Sequence, residues 1–147
     1  LHAKLVCKSR LYIVASPDYL SRKGTPQQPA ELLEHEVIGF TRPSYINKWP
    51  IKVNGEYFLA QPKIKASSGE TVRQLCLRGQ GIARLSEFEI WQDLNEGHLL
   101  ALFEDQIEHS YQSIHAVYYQ QEHLPKRVRL FIEFLSEQLS HGFSVCQ

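Results

Sequence analysis

Apolar and polar positions change period repeatedly along the chain, and each change marks an element. Leu11 to Ala15 (Leu-Tyr-Ile-Val-Ala) is apolar and partly β-branched, the pattern of a buried strand. Ser16-Pro17-Asp18 follows, where Ser can cap a helix and Pro suits its first position; Gly24 stops that short helix. Pro29 opens a second short helix carrying Leu32 and Leu33, and Val37 to Phe40 is the next strand. Strand, helix and strand in forty residues predict a parallel sheet with helical crossovers.

The middle of the chain is different. Ile51-Lys52-Val53 alternates, Asn54-Gly55 signals a type I′ turn, and Tyr57-Phe58-Leu59 returns as the partner strand. This hairpin reads as an excursion from the α/β core. Lys63 to Ala66 is a further strand. Ser67-Ser68-Gly69-Glu70 then starts a helix with Val72, Leu75, Cys76 and Gly79 on one face, and Gly81 to Leu85 is strand. Ser86 and Glu89 form a capping box for a helix with Ile90, Trp91 and Leu94 inward, stopped by Gly97. Leu99 to Phe103 and Ile114 to Tyr119 are strands. Pro125 starts the last helix, whose apolar stripe is Val128, Phe131, Ile132, Leu135 and Leu139. Leu130 and Phe134 lie on the far side from that stripe at about 100° per residue. A second apolar pair asks either for deeper burial within this chain or for contact with another protomer or another part of the protein.

Composition is that of an ordinary soluble domain, 147 residues with 43% hydrophobic and 22% charged. No run approaches the roughly 18 apolar residues of a membrane span, and no N-terminal signal pattern is present. Absence of Met is expected to mean a fragment of a longer protein. The cysteines Cys7, Cys76 and Cys146 have no CxxC spacing and are expected to be buried thiols in a reducing cytoplasm. Net charge is zero, but residues 1–84 hold 13 Lys and Arg against 6 acids, and residues 85–125 hold 8 acids and no Lys or Arg. The basic residues are scattered and not striped, so this stretch is not expected to bind DNA itself.

Three segments together resemble the effector-binding domain of LysR-type bacterial regulators. They are Leu11-Tyr-Ile-Val-Ala-Ser-Pro-Asp-Tyr-Leu20 with Gly24-Thr-Pro26, Pro29-Ala-Glu-Leu32 and His35; Ala66-Ser-Ser-Gly-Glu-Thr-Val-Arg-Gln-Leu75 through Gly79-Gln-Gly-Ile-Ala83, Gly97-His-Leu-Leu100 and Phe103; and Pro125-Lys-Arg-Val-Arg-Leu-Phe-Ile-Glu-Phe-Leu135. Where the family usually has Pro, this chain has Ser86, which caps the next helix equally well. The resemblance implies an α/β fold like type 2 periplasmic binding proteins, two subdomains with a small-molecule cleft between them. It maps residues 13–108 to the second subdomain, near-complete, and residues 1–12 and 109–147 to pieces of the first. The front of the first subdomain and the N-terminal winged helix-turn-helix are expected to lie outside this sequence.

Ligands of doubly wound sheets sit beyond the carboxyl ends of strands. Ser67, Ser68 and Gly69 open a helix whose free N–H groups favour an anion; the alternative is plain N-capping, which needs only one serine. Thr41 and Arg42 follow a predicted strand, and Arg42 can hold a carboxylate bidentately or simply be an exposed loop residue. Ser16 can reach the cleft or serve only as a cap. The seven histidines, His2, His35, His98, His109, His115, His123 and His141, show no metal-binding spacing. Gly79-Gln-Gly81 follows a helix and is wrong-sided for a dinucleotide loop. No nucleophile elbow or P-loop is present.

The chain is therefore read as the effector sensor of a DNA-binding transcriptional regulator, binding a small, anionic metabolite and no cofactor, metal or membrane. DNA contact would come only through the absent N-terminal domain, and self-association through Leu130 and Phe134. The alternatives are a solute-binding protein of a transport system, which would carry a secretion signal, and an α/β enzyme, which would need a catalytic motif.

Overall fold

The computed structural model describes residues 1–119 and 124–142, with side chains through residue 140. Cys146, His123 and the side chain of His141 lie outside the described residues. The chain divides into two units, Leu1–Arg10 with Tyr111–Gln147, and Leu11–Ser110.

The Leu11–Ser110 unit is built on a sheet of strand order β5-β2-β6-β1-β7, comprising β5 (Ile64–Ala66), β2 (Val37–Phe40), β6 (Ile82–Ser86), the last residues of β1 (His2–Ala15) and β7 (Leu100–Leu102). β2 runs parallel to β5 and to β6. β1 runs antiparallel to both its neighbours, β6 and β7. The all-parallel expectation thus holds for four strands and fails for β1, which is inserted between β6 and β7. Strand direction is set by the pairing partner, and the period of a sequence carries no information about partners.

Both faces of this sheet are covered. α2 (Gly69–Leu77) and α3 (Glu87–Glu96) bury Val72, Cys76 and Ile90 against Val14, Ile38, Ala83 and Leu85. On the other face, α1 (Pro17–Lys23), the 3-10 turn Pro29–Glu34 and the hairpin β3 (Lys48–Val53) to β4 (Glu56–Leu59) bury Tyr19, Leu32, Trp49, Ile51 and Phe58 against Ile13, Val37 and Ile82. The hairpin leaves the main sheet and forms its own two-stranded sheet, as expected, yet it packs back into the core. Trp49 is the largest fully buried side chain, edge-on to Phe58 with ring centroids 5.2 Å apart. The turn is as expected: Asn54 and Gly55 have φ of 54° and 85°, the two positive values that a type I′ turn requires.

Local capping matches the sequence closely. Ser16 Oγ accepts from the Tyr19 N–H at 3.1 Å, and Glu89 accepts from the Ser86 N–H at 3.3 Å. Three apolar helix residues are exposed, and for Trp91 and Phe131 this corrects an inward expectation. Leu33 is 66% exposed and Trp91 43% exposed, because each is adjacent to a buried residue, Leu32 or Ile90, and neighbours on a helix point 100–120° apart. Cys76 is buried, its thiol contacts the carbonyls of Val14 and Gly81 at 3.5 Å, and burial pushes its pKa up to about 12. That thiol stays protonated near neutral pH.

In the other unit, His2–Arg10 of β1 pairs antiparallel with β8 (Tyr111–Tyr118), from His2↔Tyr118 to Arg10↔Tyr111, with an irregularity between Leu5 and Cys7. α4 (Lys126–Gly142) buries Ile132, with Val128, Leu135 and Leu139 half-buried along the same stripe. Phe131 is the third of these exposed residues: it lies about 70° from the stripe centre and is 60% exposed. Leu130 and Phe134 are exposed by 49% and 55%, so burial within the described residues does not account for them.

Candidate functional site

The carboxyl ends of β2, β5 and β6 point the same way, since these strands are parallel. The residues that leave them are therefore gathered at one edge of the sheet. The Thr41 N–H donates to the Ala66 carbonyl at 3.0 Å, which ties the loop after β2 to the end of β5. Thr41 and Ser67 are thus side by side, both exposed. Arg42 is exposed beside them, with a cis peptide bond to Pro43. Asn47 folds the following loop back: its amide nitrogen donates to the Phe40 carbonyl and its oxygen accepts from the Phe40 N–H, each at 2.9 Å.

Ser68 is the N-cap of α2. Its hydroxyl accepts from the Thr71 N–H at 3.2 Å and meets the Thr71 hydroxyl at 2.9 Å. Capping thus occupies Ser68, and Ser67 remains the serine that capping does not need. Gly69 lets the Glu89 carboxylate come close: a Cβ there would lie 1.7 Å from Glu89 Oε1 and would push it aside. That carboxylate also accepts from the Ser86 N–H and hydroxyl at 3.3 and 3.2 Å. A carboxylate of the chain itself therefore stands at the positive end of α2, on the side of Gly69.

α2 is fixed against α3 by Arg73. Its Nε and Nη2 donate to the two oxygens of Asp93 at 2.6 and 2.9 Å, and Nη1 donates to Glu70 at 3.0 Å. This bidentate bond to Asp93 raises the Arg73 pKa above its ordinary value.

Ser16 does not join this group. β1 runs antiparallel to β6, so its carboxyl end lies where β6 begins. Ser16 is buried there as the cap of α1, with its hydroxyl close to Gly79. Strand direction sends it to the opposite edge from Thr41 and Ser67, and its contact with the Tyr19 N–H is that of the capping alternative. Sequence reasoning passed over Asn47 and Arg84, and it expected Glu89 only as the partner of Ser86 in a capping box. Arg84 carried a legible signal: alternation puts it on the same face as buried Ile82, an unusual place for a charge. Burial holds its guanidinium below the ordinary arginine range, against the opposing influence of Glu89 and Tyr45. Among the described residues no three or more His, Cys, Asp or Glu side chains are grouped to hold a metal ion.

Comparison with known proteins decides what kind of domain carries these loops. The sequence profile of the LysR substrate binding domain matches residues 1–140. The chain belongs to that family. It is 40% identical over 143 residues to the HTH-type transcriptional regulator CrgA of Neisseria meningitidis serogroup C (strain 8013), covering 97% of this chain and 48% of that protein. It is 32% identical over 142 residues to the HTH-type transcriptional regulator PtxR of Pseudomonas aeruginosa, covering 95% and 45%. The chain thus spans about half the length of these relatives. Each is a transcriptional regulator, and neither lends support to a transport solute-binding protein.

Solved structures agree. The regulatory domain of CrgA from Neisseria meningitidis superposes with a TM-score of 0.88 at 39% identity, over 95% of this chain and 69% of that one. The full-length structure of AphB, a Vibrio cholerae virulence activator of the LTTR family, gives 0.71 at 28% identity, over 93% and 47%. The LysR substrate binding domain described above therefore has the type 2 periplasmic-binding-protein-like α/β fold of LysR regulatory domains. Among its described residues no helix is long and apolar enough to cross a membrane.

Proposed function

We propose that this chain is the effector sensor of a cytoplasmic LysR-type, DNA-binding transcriptional regulator, and that its effector is a small anionic metabolite. In this reading residues 13–108 are the second effector-binding subdomain, and residues 1–12 and 109–147 belong to the first. DNA is contacted by a winged helix-turn-helix elsewhere in the protein. The supporting observation is the gathering of Thr41, Arg42, Ser67, Ser68 and Gly69 at the carboxyl ends of parallel strands, tied by the Thr41 to Ala66 hydrogen bond. Loops in that position lie where α/β sheets take ligands, and Arg42 is an exposed cation with no ion pair among the described residues. Ser16 has only its capping role. The effector acts by binding one arrangement of the protein better than another, which is the sole way a ligand shifts an equilibrium.

The test is a thermal-shift screen of the chain against metabolite carboxylates and amino acids. A ligand at about a hundred times its Kd adds about 2.7 kcal/mol, which raises Tm by roughly 5–10 °C for a chain of this size. Arg42→Ala and Thr41→Val are expected to shrink the shift without lowering the unliganded Tm. A shift unmoved by either variant would place the effector elsewhere.

The same reading includes a homo-oligomer. Leu130 and Phe134, with exposed Phe131 between them and the buried stripe, form an apolar face on α4 turned away from Ile132. A second copy of the chain is the occupant, because the family resemblance implies pairing through the first subdomain, to which this helix is assigned. Light scattering should find the parent chain larger than a monomer at micromolar concentration, and Leu130→Glu with Phe134→Glu should yield a monomer of unchanged helicity. A monodisperse monomer from the parent chain would end this idea.

A further inference from the structure

Arg84 sits two residues before the end of β6, paired across β1 with Ile13 and on the same face as Ile82. Both isoleucines are fully buried. The side chain is thus rooted among apolar groups at the edge of the sheet where the Thr41 and Ser67 loops emerge. Its Nε is buried and meets no acceptor, and no carboxylate forms an ion pair with it among the described residues. Glu89 is close enough to be felt electrostatically, yet its oxygens are engaged with Ser86 and pressed against Gly69. A guanidinium in such surroundings is unfavourable on its own and is relieved when an anion accepts its N–H groups.

We propose that Arg84 is the charged anchor of the ligand site and that the group it takes is the carboxylate of a small monocarboxylate. The inference rests on the reading of the Thr41 and Ser67–Gly69 loops as the effector site, and adds to it the residue that selects the ligand. The planar fork of a guanidinium matches the two oxygens of a carboxylate. Desolvating an anion beside these apolar groups costs energy that rises with the square of its charge, whereas attraction to the guanidinium rises only in proportion to it, so a monoanion is favoured over a phosphate dianion. Arg42, exposed on the loop, serves capture; Arg84, with its Nε buried, serves discrimination.

The experiment is a titration of the chain with acetate, and separately with inorganic phosphate, followed by nitrogen-15 NMR. The Arg84 Nε–H resonance is assigned by its disappearance in Arg84→Lys. Acetate is expected to move that resonance saturably, phosphate to bind more weakly, and Arg84→Gln to weaken acetate by roughly tenfold or more, as expected for losing a charge-assisted bidentate contact. An Nε resonance that acetate leaves unmoved overturns the inference. So does phosphate binding as tightly as acetate, or an Arg84→Gln variant of unchanged Tm that binds acetate like the parent. If Arg84→Gln does not fold, the titration of the parent chain decides. The two readings separate cleanly. A carboxylate that moves the Thr41 and Ser67–Gly69 amides but not Arg84 Nε sinks the anchor and leaves the site. Acetate that moves Nε while those amides stay still does the reverse.

Discussion

Trp49→Ala should destabilise the Leu11–Ser110 unit by about 4 kcal/mol, within the range of about 3–5 for buried aromatic truncations. The side chain is 1% exposed and is the largest of the fully buried residues. It sits edge-on to Phe58, and the cluster it fills is drawn from α1, the Pro29–Glu34 turn, the hairpin and one face of the main sheet. Removing the indole leaves a void that no one element can close, because its walls belong to four different segments. Domains of this kind have a total stability of about 5–15 kcal/mol, so the loss is a large fraction of the whole. Trp49→Phe should cost less than half as much, since the ring contact with Phe58 is partly kept. Urea unfolding followed by circular dichroism would measure both. A loss below about 1.5 kcal/mol for the alanine variant would show that the hairpin is an appendage after all.

Arg73→Ala comes next, with an expected loss of about 3 kcal/mol. Its partner Asp93 has a side chain only 5% exposed and receives both its hydrogen bonds from Arg73, at 2.6 and 2.9 Å. Without the guanidinium a buried carboxylate is left uncompensated, which costs far more than the loss of a surface ion pair. The figure is set at the low end of the buried-pair range because Arg73 itself is 23% exposed, so water screens part of the interaction. The reverse change, Asp93→Ala, should be milder: Arg73 keeps Glu70, at 3.0 Å, and part of its contact with water. In the double variant the two losses should sum to more than the measured total, because both singles break one bond. Equal and strictly additive losses in urea melts would show that the two side chains act independently.

These helices also bear on the proposed ligand site. α2 begins at Gly69, and the carboxylate of Glu89, from the first turn of α3, stands against that glycine. Loosening the Arg73 clamp should therefore disturb the loops proposed to hold the ligand as well as stability. The deficit would appear in the thermal-shift response and not only in the unliganded Tm.

Much of this architecture is legible from short stretches of sequence. The cap at Ser16, the box of Ser86 with Glu89, the stop at Gly97 and the Asn54-Gly55 turn all depend on backbone groups within four residues of each other, and each is present as expected. The position of Thr41, Arg42 and Ser67 to Gly69 after strands is legible because local pattern identifies those strands. What tertiary structure decided is everything that depends on partners far along the chain. It placed β1 antiparallel between β6 and β7, and so sent Ser16 to the opposite edge from Thr41. It turned Leu33, Trp91 and Phe131 outward, because burial depends on what lies across from a helix and not only on the residue's own polarity. It brought Glu89 against Gly69 and set Arg84 beside buried Ile82 and Ile13, with no ion pair among the described residues. Capping energies are local and can be read in sequence; the cost of a buried charge depends on the groups that folding gathers around it.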